Sequence, residues 1–415
     1  MTTISEQILS EAAGEPVSAG DIVRAPVDFT FGNDISLPPA IEEFQRFDDA
    51  DVFDGNSVGV FLDHLYPAHT EHAAELHESC RAFAEAHDCI LRAEQEHAVV
   101  AEEGFVGPGD VMVASDSHTC TAGALGAFAT GVGSTDLAFI LATGWAWLRV
   151  PETTHVEFTG TPGEWVEAKD LTLAAIGELG VDGAIYHALE FSGEAVRSLS
   201  MDERFTLTNM AIEAGAKTGI VEPDEVTEAY AREHYGEEFE TYVSGEDATF
   251  ANEVTVDCDG LEPQVAVPSS PANNVDVSDV QAEGIEIDQA VVGSCTNGRA
   301  SDLRRAAEIL EGRSVADGVR LIVTPATERI QSRSLDEGWT ETFLDAGAVM
   351  ENPGCGACFG QRTGILGPDE VAVSTTNRNF TGRMGDPSSE VYLASPSVAA
   401  ASAVAGRIVH PEEVA

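Results

Sequence analysis

The residues of this chain best suited to chemistry are three cysteines. Cys355 and Cys358 lie in NPGCGACFG, two thiols in a glycine-rich bend, and Cys295 lies in GSCTN. A redox dithiol sits at a helix N-terminus in a thioredoxin-like unit, which a late glycine bend does not resemble. A structural zinc site wants a fourth ligand at recognisable spacing, and none of Cys80, Cys89, Cys120 or Cys258 supplies a second CxxC. Three thiols could instead hold three irons of a cubane 4Fe–4S cluster. The fourth iron, ordinarily held by a fourth thiolate, would then be open to act as a Lewis acid. Spacing alone leaves a zinc half-site, buried structural cysteines and cluster corners all standing.

A second set is acidic and imidazole-bearing. Asp63-His64 lies in FLDHLYPA, His97 in QEHAVVAEEG, and Asp116-Ser117-His118 in DSHTCTAGALGAFATGVGSTD. Taken singly, each histidine suits a buried structural imidazole satisfied by a carboxylate as well as it suits an acid or base. The glycine-rich part of the last stretch lacks the spacing of a phosphate loop. Its small residues are expected to let a helix pack close to the loops beside it. Asn209 and Glu213, in TLTNMAIEAGAKTG, are four apart on a predicted helix and so share a face. Arg378 and Arg383 share the loop NRNFTGR. Two guanidiniums on one loop suit a carboxylate-rich ligand, because bidentate pairing adds geometry to charge. A solvated face and ordinary surface ion pairs are the plainer readings of these last two pairs.

The elements that must hold these residues alternate in type. Apolar, β-branched runs at 111–114, 289–294, 320–324 and 370–375 are followed by small-residue loops and then amphipathic patterns. Ser301-Asp302 is expected to start one such helix, through RRAAEIL. This alternation predicts an α/β fold with mostly parallel sheets. Ligand sites in such sheets gather beyond the carboxyl ends of the strands, where DSHT, SCTN and NRNFTGR all fall. Composition shifts near 151–163 and 269–274 divide the chain into expected α/β domains at 1–156, 157–270 and 271–415.

With 415 residues and 43% hydrophobic content, the chain can bury more than one core. Its formal net charge is −51, with lysine only at Lys169 and Lys217. Repulsion on that scale disfavours the compact state in dilute buffer, whereas at molar salt the Debye length is only ~3 Å. A halophile's cytoplasmic protein is the expected setting. Nucleic-acid phosphates and anionic membranes are disfavoured partners. The amino-terminal MTTISEQILSEAAGEP carries neither a basic nor an apolar signal region, and the apolar tract near Leu137–Val150 is broken by Gly144 and Arg149, so no spanning helix is expected. Seven cysteines, odd and sparse, fit a reducing compartment.

In order along the chain, FLDH, DSHTCTAGALGAFATGVGSTD, LTNMAIEAGA, VGSCTNGR, NPGCGACFG and NRNFTGR resemble the aconitase superfamily. The resemblance is closest to the large subunits of its two-subunit isopropylmalate and homoaconitate isomerases, and it covers essentially the whole chain. It implies three α/β/α domains around a central iron–sulfur site, without the swivel domain of single-chain aconitases. It implies that Cys295, Cys355 and Cys358 ligate a 4Fe–4S cluster whose fourth iron stays open. Asp63, His64, His97, Asp116 and His118 would surround the departing hydroxyl, with Asn209 and Glu213 near the open iron and Arg378 and Arg383 on substrate carboxylates. The expected reaction is dehydration and rehydration of a malate-like hydroxy di- or tricarboxylate. Isopropylmalate is favoured on the breadth of leucine synthesis; homoaconitate, aconitate and methylmalate substrates are the alternatives. Two departures qualify the resemblance. Ala98 follows His97 where many relatives carry Gln. No SSR segment is present, since SSE at 388–390 lacks the arginine, so a separate small subunit with the swivel domain is expected to supply the catalytic serine.

Overall fold

The computed structural model describes residues 2–48, 50–245 and 247–415. The chain falls into two compact units, Met1–Glu157 with Ala184–Val254, and Phe158–Gly183 with Thr255–Ala415. The expected segment 1–156 lies within the first unit and 271–415 within the second, while 157–270 is shared between them. Strand pairing explains the sharing. His187–Ser192 lies parallel to the strand Glu152–Thr159, with Glu152 opposite His187, and Thr218–Val221 adds parallel to His187–Ser192, which returns the chain to the first unit. The helix Ala168–Leu179 instead belongs to the second unit, where Asp170 Oδ1 accepts the Gln264 N–H at 2.8 Å.

In the first unit, Thr30–Asn33, Val58–Phe61 and Ile90–Arg92 form a parallel sheet with Asn33, Phe61 and Arg92 in register. Val111–Ala114 pairs parallel with Phe128–Gly131, and Phe29 bridges to Met112. Val58–Phe61 and Val111–Ala114 are buried at every position, as expected of parallel strands covered on both faces. Phe29, Phe31 and Phe61 pack with Val99, Val100 and Met112 beneath the strand ends. Each such buried side chain is worth ~1.5–3 kcal/mol. The tract near Leu137–Val150 resolves into the helix Ser134–Thr143 and the strand Trp145–Arg149, with Gly144 left-handed between them (φ +69°). No helix of the described residues is long and apolar enough to cross a membrane.

The second unit holds a seven-stranded sheet. Glu390–Leu393, Val371–Ser374, Gln289–Val292, Arg320–Val323 and Val349–Met350 run parallel in that spatial order. Gln264–Ala266 and Asn274–Asp276 close one edge antiparallel. The helix after SCTN begins one residue earlier than the sequence suggests. It spans Ala300–Leu310, with Arg299 as the cap and Asp302 in the first turn accepting the Arg299 N–H at 2.9 Å.

Candidate functional site

In the first unit, four parallel strands deliver their following residues to one end. Asp34 follows Thr30–Asn33, Asp63-His64 follow Val58–Phe61, Glu96-His97 follow Ile90–Arg92, and Asp116–His118 follow Val111–Ala114. This is the carboxyl-end placement that open α/β sheets use for ligands.

His64 Nδ1 donates to Asp63 Oδ1 at 2.6 Å, with Asp34 Oδ1 at 3.9 Å and Glu96 Oε2 at 4.0 Å from the same nitrogen. Its Nε2 lies 3.9 Å from Asp116 Oδ2. Burial pulls the His64 pKa down, but the charge and hydrogen bond of Asp63, with Asp116 and Asp34 behind it, outweigh burial and raise it to about 10. These carboxylates favour the imidazolium form, and 15% of the His64 side chain remains exposed. Asp63 is pushed up by burial, yet the charge of His64 and contacts with Glu96 and His64 hold it below the usual carboxylate range.

Asp116 organises the other side. Its Oδ1 accepts from His97 Nε2 at 3.0 Å and from the His118 backbone N–H at 2.7 Å. Burial raises its pKa, but hydrogen bonds from His118 and His97 prevail and keep it ionised well below the ordinary value. His97 stands edge-on to Phe31, with ring centroids 5.6 Å apart. Ala98, after His97, is fully buried and its N–H donates to Gln95 Oε1 at 2.9 Å, capping the helix Glu96–Glu102. His118 Nε2 pairs with Glu213 Oε1 at 3.0 Å.

Asn209 and Glu213 do not share one helical face. The α-helix Met201–Asn209 ends at Asn209, and Glu213 sits in the 3-10 turn Met210–Ala214 that follows. Tightening the turn changes the angle per residue, so the helical spacing argument fails. Both side chains nonetheless reach the segment Ser117–Leu125, Asn209 by donating Nδ2 to Thr121 Oγ1 at 2.8 Å. The small residues of that segment serve close approach to a strand as well as to a helix. A Cβ at Gly123 would lie 1.7 Å from the Gly219 carbonyl oxygen.

In the second unit, the strands ending at Val292, Met350 and Ser374 deliver Cys295, Cys355 with Cys358, and the loop holding Asn377, Arg378 and Arg383. The three thiols are buried and none is in a disulfide. Contact with the Cys295 and Cys358 side chains, then burial, pushes the Cys355 thiol well above its ordinary range. Asn377 bridges the set. Its Nδ2 donates to Cys295 Sγ at 3.3 Å and its Oδ1 accepts from Cys358 Sγ at 3.2 Å. Gly293 (φ +145°) and Gly356 (φ +68°) both press on Thr324, where a Cβ would come within 2.6 and 2.7 Å of its atoms. These glycines answer to neighbouring protein atoms as well as to any bound group.

Arg383 Nη2 lies 3.7 Å from Cys358 Sγ, its guanidinium stands over the Phe359 ring at 5.3 Å, and its buried Nε has no partner among the described residues. Arg378 is half-buried on the same loop. Lys169, fully buried, donates to the carbonyls of Thr375 at 3.0 Å and Thr376 at 2.6 Å, propping the start of that loop.

Three converging soft thiols, an amide donating to one sulfur and a guanidinium beside another fit an iron–sulfur cluster, whose potential and charge are tuned by such contacts. In the first unit, the sets Asp34, Asp63, His64 and His64, Glu96, Asp116 each bring ligand atoms within 4.8 Å of one another. Each set gathers carboxylates around the one imidazole of His64, an arrangement able to hold and pass a proton. Asp34, Glu96, Asn377 and Lys169 escaped the sequence reading. Asp34 belongs to none of the quoted motifs, and Glu96 lies inside QEHAVVAEEG, where the imidazole of His97 alone was singled out.

The profile of the Aconitase family (aconitate hydratase) matches residues 34–406. A Pyrococcus furiosus protein named 3-isopropylmalate dehydratase large subunit 1 is 52% identical over 99% of both chains. The 3-isopropylmalate dehydratase large subunit of Acetivibrio thermocellus is 48% identical, also over 99% of both. Among solved structures, Thermococcus kodakaraensis aconitase X in its holo-form shares the fold, with TM-score 0.51 and 14% identity over 90% of this chain and 88% of that one.

Proposed function

The chain belongs to the aconitase family, and from that premise we propose that it is a hydro-lyase subunit interconverting 2- and 3-isopropylmalate by dehydration and rehydration. The observation carrying the substrate is that relatives named 3-isopropylmalate dehydratase large subunit align over 99% of both chains at 48–52% identity. Their name supports a separate small subunit, which would bring the swivel domain and the serine that takes the carbon-bound proton. The charge of −51 supports work at molar salt in a cytoplasm.

Cys295, Cys355 and Cys358 would hold a 4Fe–4S cluster, with Asn377 setting the spacing of the outer thiols. When bound, such a cluster supplies Lewis-acid polarisation at an iron left open by three-thiolate ligation. Arg378 and Arg383 would bind substrate carboxylates, and the unpartnered Arg383 Nε supports that role. His64, charged and partly exposed, would give its proton to the departing hydroxyl and take it back on rehydration. A positioned acid of this kind contributes ~10²–10⁴-fold. Asp63 orients its ring, while Asp116, His97, His118 and Glu213 form a bonded array that fixes the neighbouring polar groups. Asn209 would act by holding Thr121 and the segment it belongs to.

The test is to reconstitute the chain anaerobically, mix it with small-subunit candidates at molar salt, and follow unsaturated-acid formation. The substrates are 3-isopropylmalate, homoisocitrate, isocitrate and methylmalate. Turnover of isopropylmalate alone, and only with both chains, is expected. Preference for another acid would keep the chemistry and replace the substrate.

A further inference from the structure

Glu96 precedes His97 in QEHAVVAEEG and lies within the first unit's polar cluster. Its side chain is fully buried at the start of the helix Glu96–Glu102. Asn33 Nδ2 donates to its Oε1 at 3.2 Å. Its other oxygen, Oε2, and the Oδ2 of Asp63 are both buried and find no donor elsewhere. The two carboxyl groups flank the same nitrogen, with Asp63 Oδ1 at 2.6 Å and Glu96 Oε2 at 4.0 Å from His64 Nδ1, and lie close enough for a hydrogen bond to pass between them. Two ionised carboxylates cannot make that contact, because each is acceptor-only. One proton between them satisfies both oxygens.

The surroundings decide which group carries it. Asp63 faces the His64 imidazolium at 2.6 Å, which favours its charged form. Around Glu96 stand the carboxylates of Asp63 and Asp116, His64 Nδ1 at 4.0 Å, His97 Nε2 at 3.7 Å and the neutral amide of Asn33. A glutamate in a helix's first turn is ordinarily stabilised as the anion by the dipole. Here complete burial and two nearby carboxylates oppose that effect, and both raise the Glu96 pKa well above its ordinary value.

We propose that Glu96 is carried as the neutral carboxylic acid and donates its proton to Asp63, making it a positioning residue that moderates the hold of Asp63 on the His64 proton. An acid must release its proton as well as carry it, and catalysis is best when its pKa is near the working pH. A hydrogen bond donated to the back of the Asp63 carboxylate spreads its charge and weakens its pull on the imidazolium. The catalytic part rests on His64 being the acid. The protonation of Glu96 does not.

The test uses the full chain and separates those two claims. Difference infrared spectra, wild type minus Glu96→Gln, are recorded at neutral pH, because burial also raises Asp110, Asp170 and Glu190, to about 7, 8 and 7. A carboxylic-acid carbonyl band present in the wild type and missing from the variant is expected. In parallel, labelled histidine reports the His64 titration. Gln keeps both bonds, accepting from Asn33 and donating to Asp63, so the His64 midpoint should stay within a few tenths of a pH unit. Were Glu96 ionised, Gln would remove a negative charge 4.0 Å from His64 Nδ1, and the midpoint would fall by about a unit or more. That fall, or a band that emerges only after chelation of a bound cation, overturns the proposal. In the reconstituted complex, Glu96→Ala should lower kcat by about tenfold or more and move the pH profile, part of the ~10²–10⁴-fold an acid supplies, and Glu96→Gln should recover most of the loss. Equal losses in the two variants, with both folded, would sink the positioning role.

Discussion

His77 Nε2 lies 2.9 Å from Asp34 Oδ2, and the same carboxylate accepts the backbone N–H groups of His64 at 3.2 Å and Leu65 at 2.8 Å. His77 sits in the helix Glu71–Ala86, so this one buried residue ties that helix to the turn presenting the candidate acid. Replacing Asp34 with Ala leaves three donors facing a void. Leaving a buried hydrogen-bonding group unsatisfied costs about 1–3 kcal/mol. Denaturant unfolding of the Asp34→Ala chain at molar salt should show a loss of about that size, and a loss under about 1 kcal/mol would show that His64 is held by other means.

The Asp63–His64 pair makes stability depend on pH in a defined direction. The folded His64 pKa, about 10, lies above its ordinary 6.5, so the folded state binds the proton more tightly. The stabilisation is complete below about pH 6.5 and is lost as pH rises through about 10. Its slope is at most about −1.4 kcal/mol per pH unit, one proton's worth. Asp34, Asp63, Glu96 and Asp116 are the carboxyl groups facing the ring. A His64→Gln variant should lose this alkaline slope in unfolding titrations while keeping the acid limb. An unchanged slope would mean that His64 is neutral at rest.

Asn377 joins Cys295 and Cys358 through its amide. Asn377→Ala should leave folding nearly intact and lower the iron retained after anaerobic reconstitution, or speed its loss to a chelator by about tenfold, a typical effect for residues supporting metal ligands. Cys355→Ser gives the reference for a lost ligand. Iron retention equal to wild type in Asn377→Ala would limit the amide to a packing role.

Charge gives the fourth expectation. With a net −51 and repulsion confined to within ~3 Å at molar salt, the unfolding midpoint should climb steeply from 0.1 M to molar KCl. A flat response would show that local ion pairs, such as Arg320 with Glu370 at 2.9 Å, already offset the repulsion.

By itself the sequence determined the α/β class and the chemistry-bearing motifs. Alternating β-branched runs and small-residue loops dictate parallel strands, and the topology of such sheets puts the following loops at one end. The cysteine-bearing loops stood out because thiols are rare and their glycine setting is local, whereas the convergence of Cys295, Cys355 and Cys358 belongs to the tertiary structure. Only the tertiary structure decided the rest. The return of Ala184–Val254 to the first unit depends on strand pairing across distant sequence. The break between Asn209 and Glu213 is a helix end set by its packing against Ser117–Leu125. Asp34, Glu96, Asn377 and Lys169 gain their roles through partners 19 to 207 residues away; the nearest is the Asn377 contact with Cys358 at 19 and the farthest the Lys169 bond to Thr376 at 207. A carboxylate or lysine is ordinary in a row of letters. Burial removes water as its partner, and what replaces water is fixed only when the chain closes.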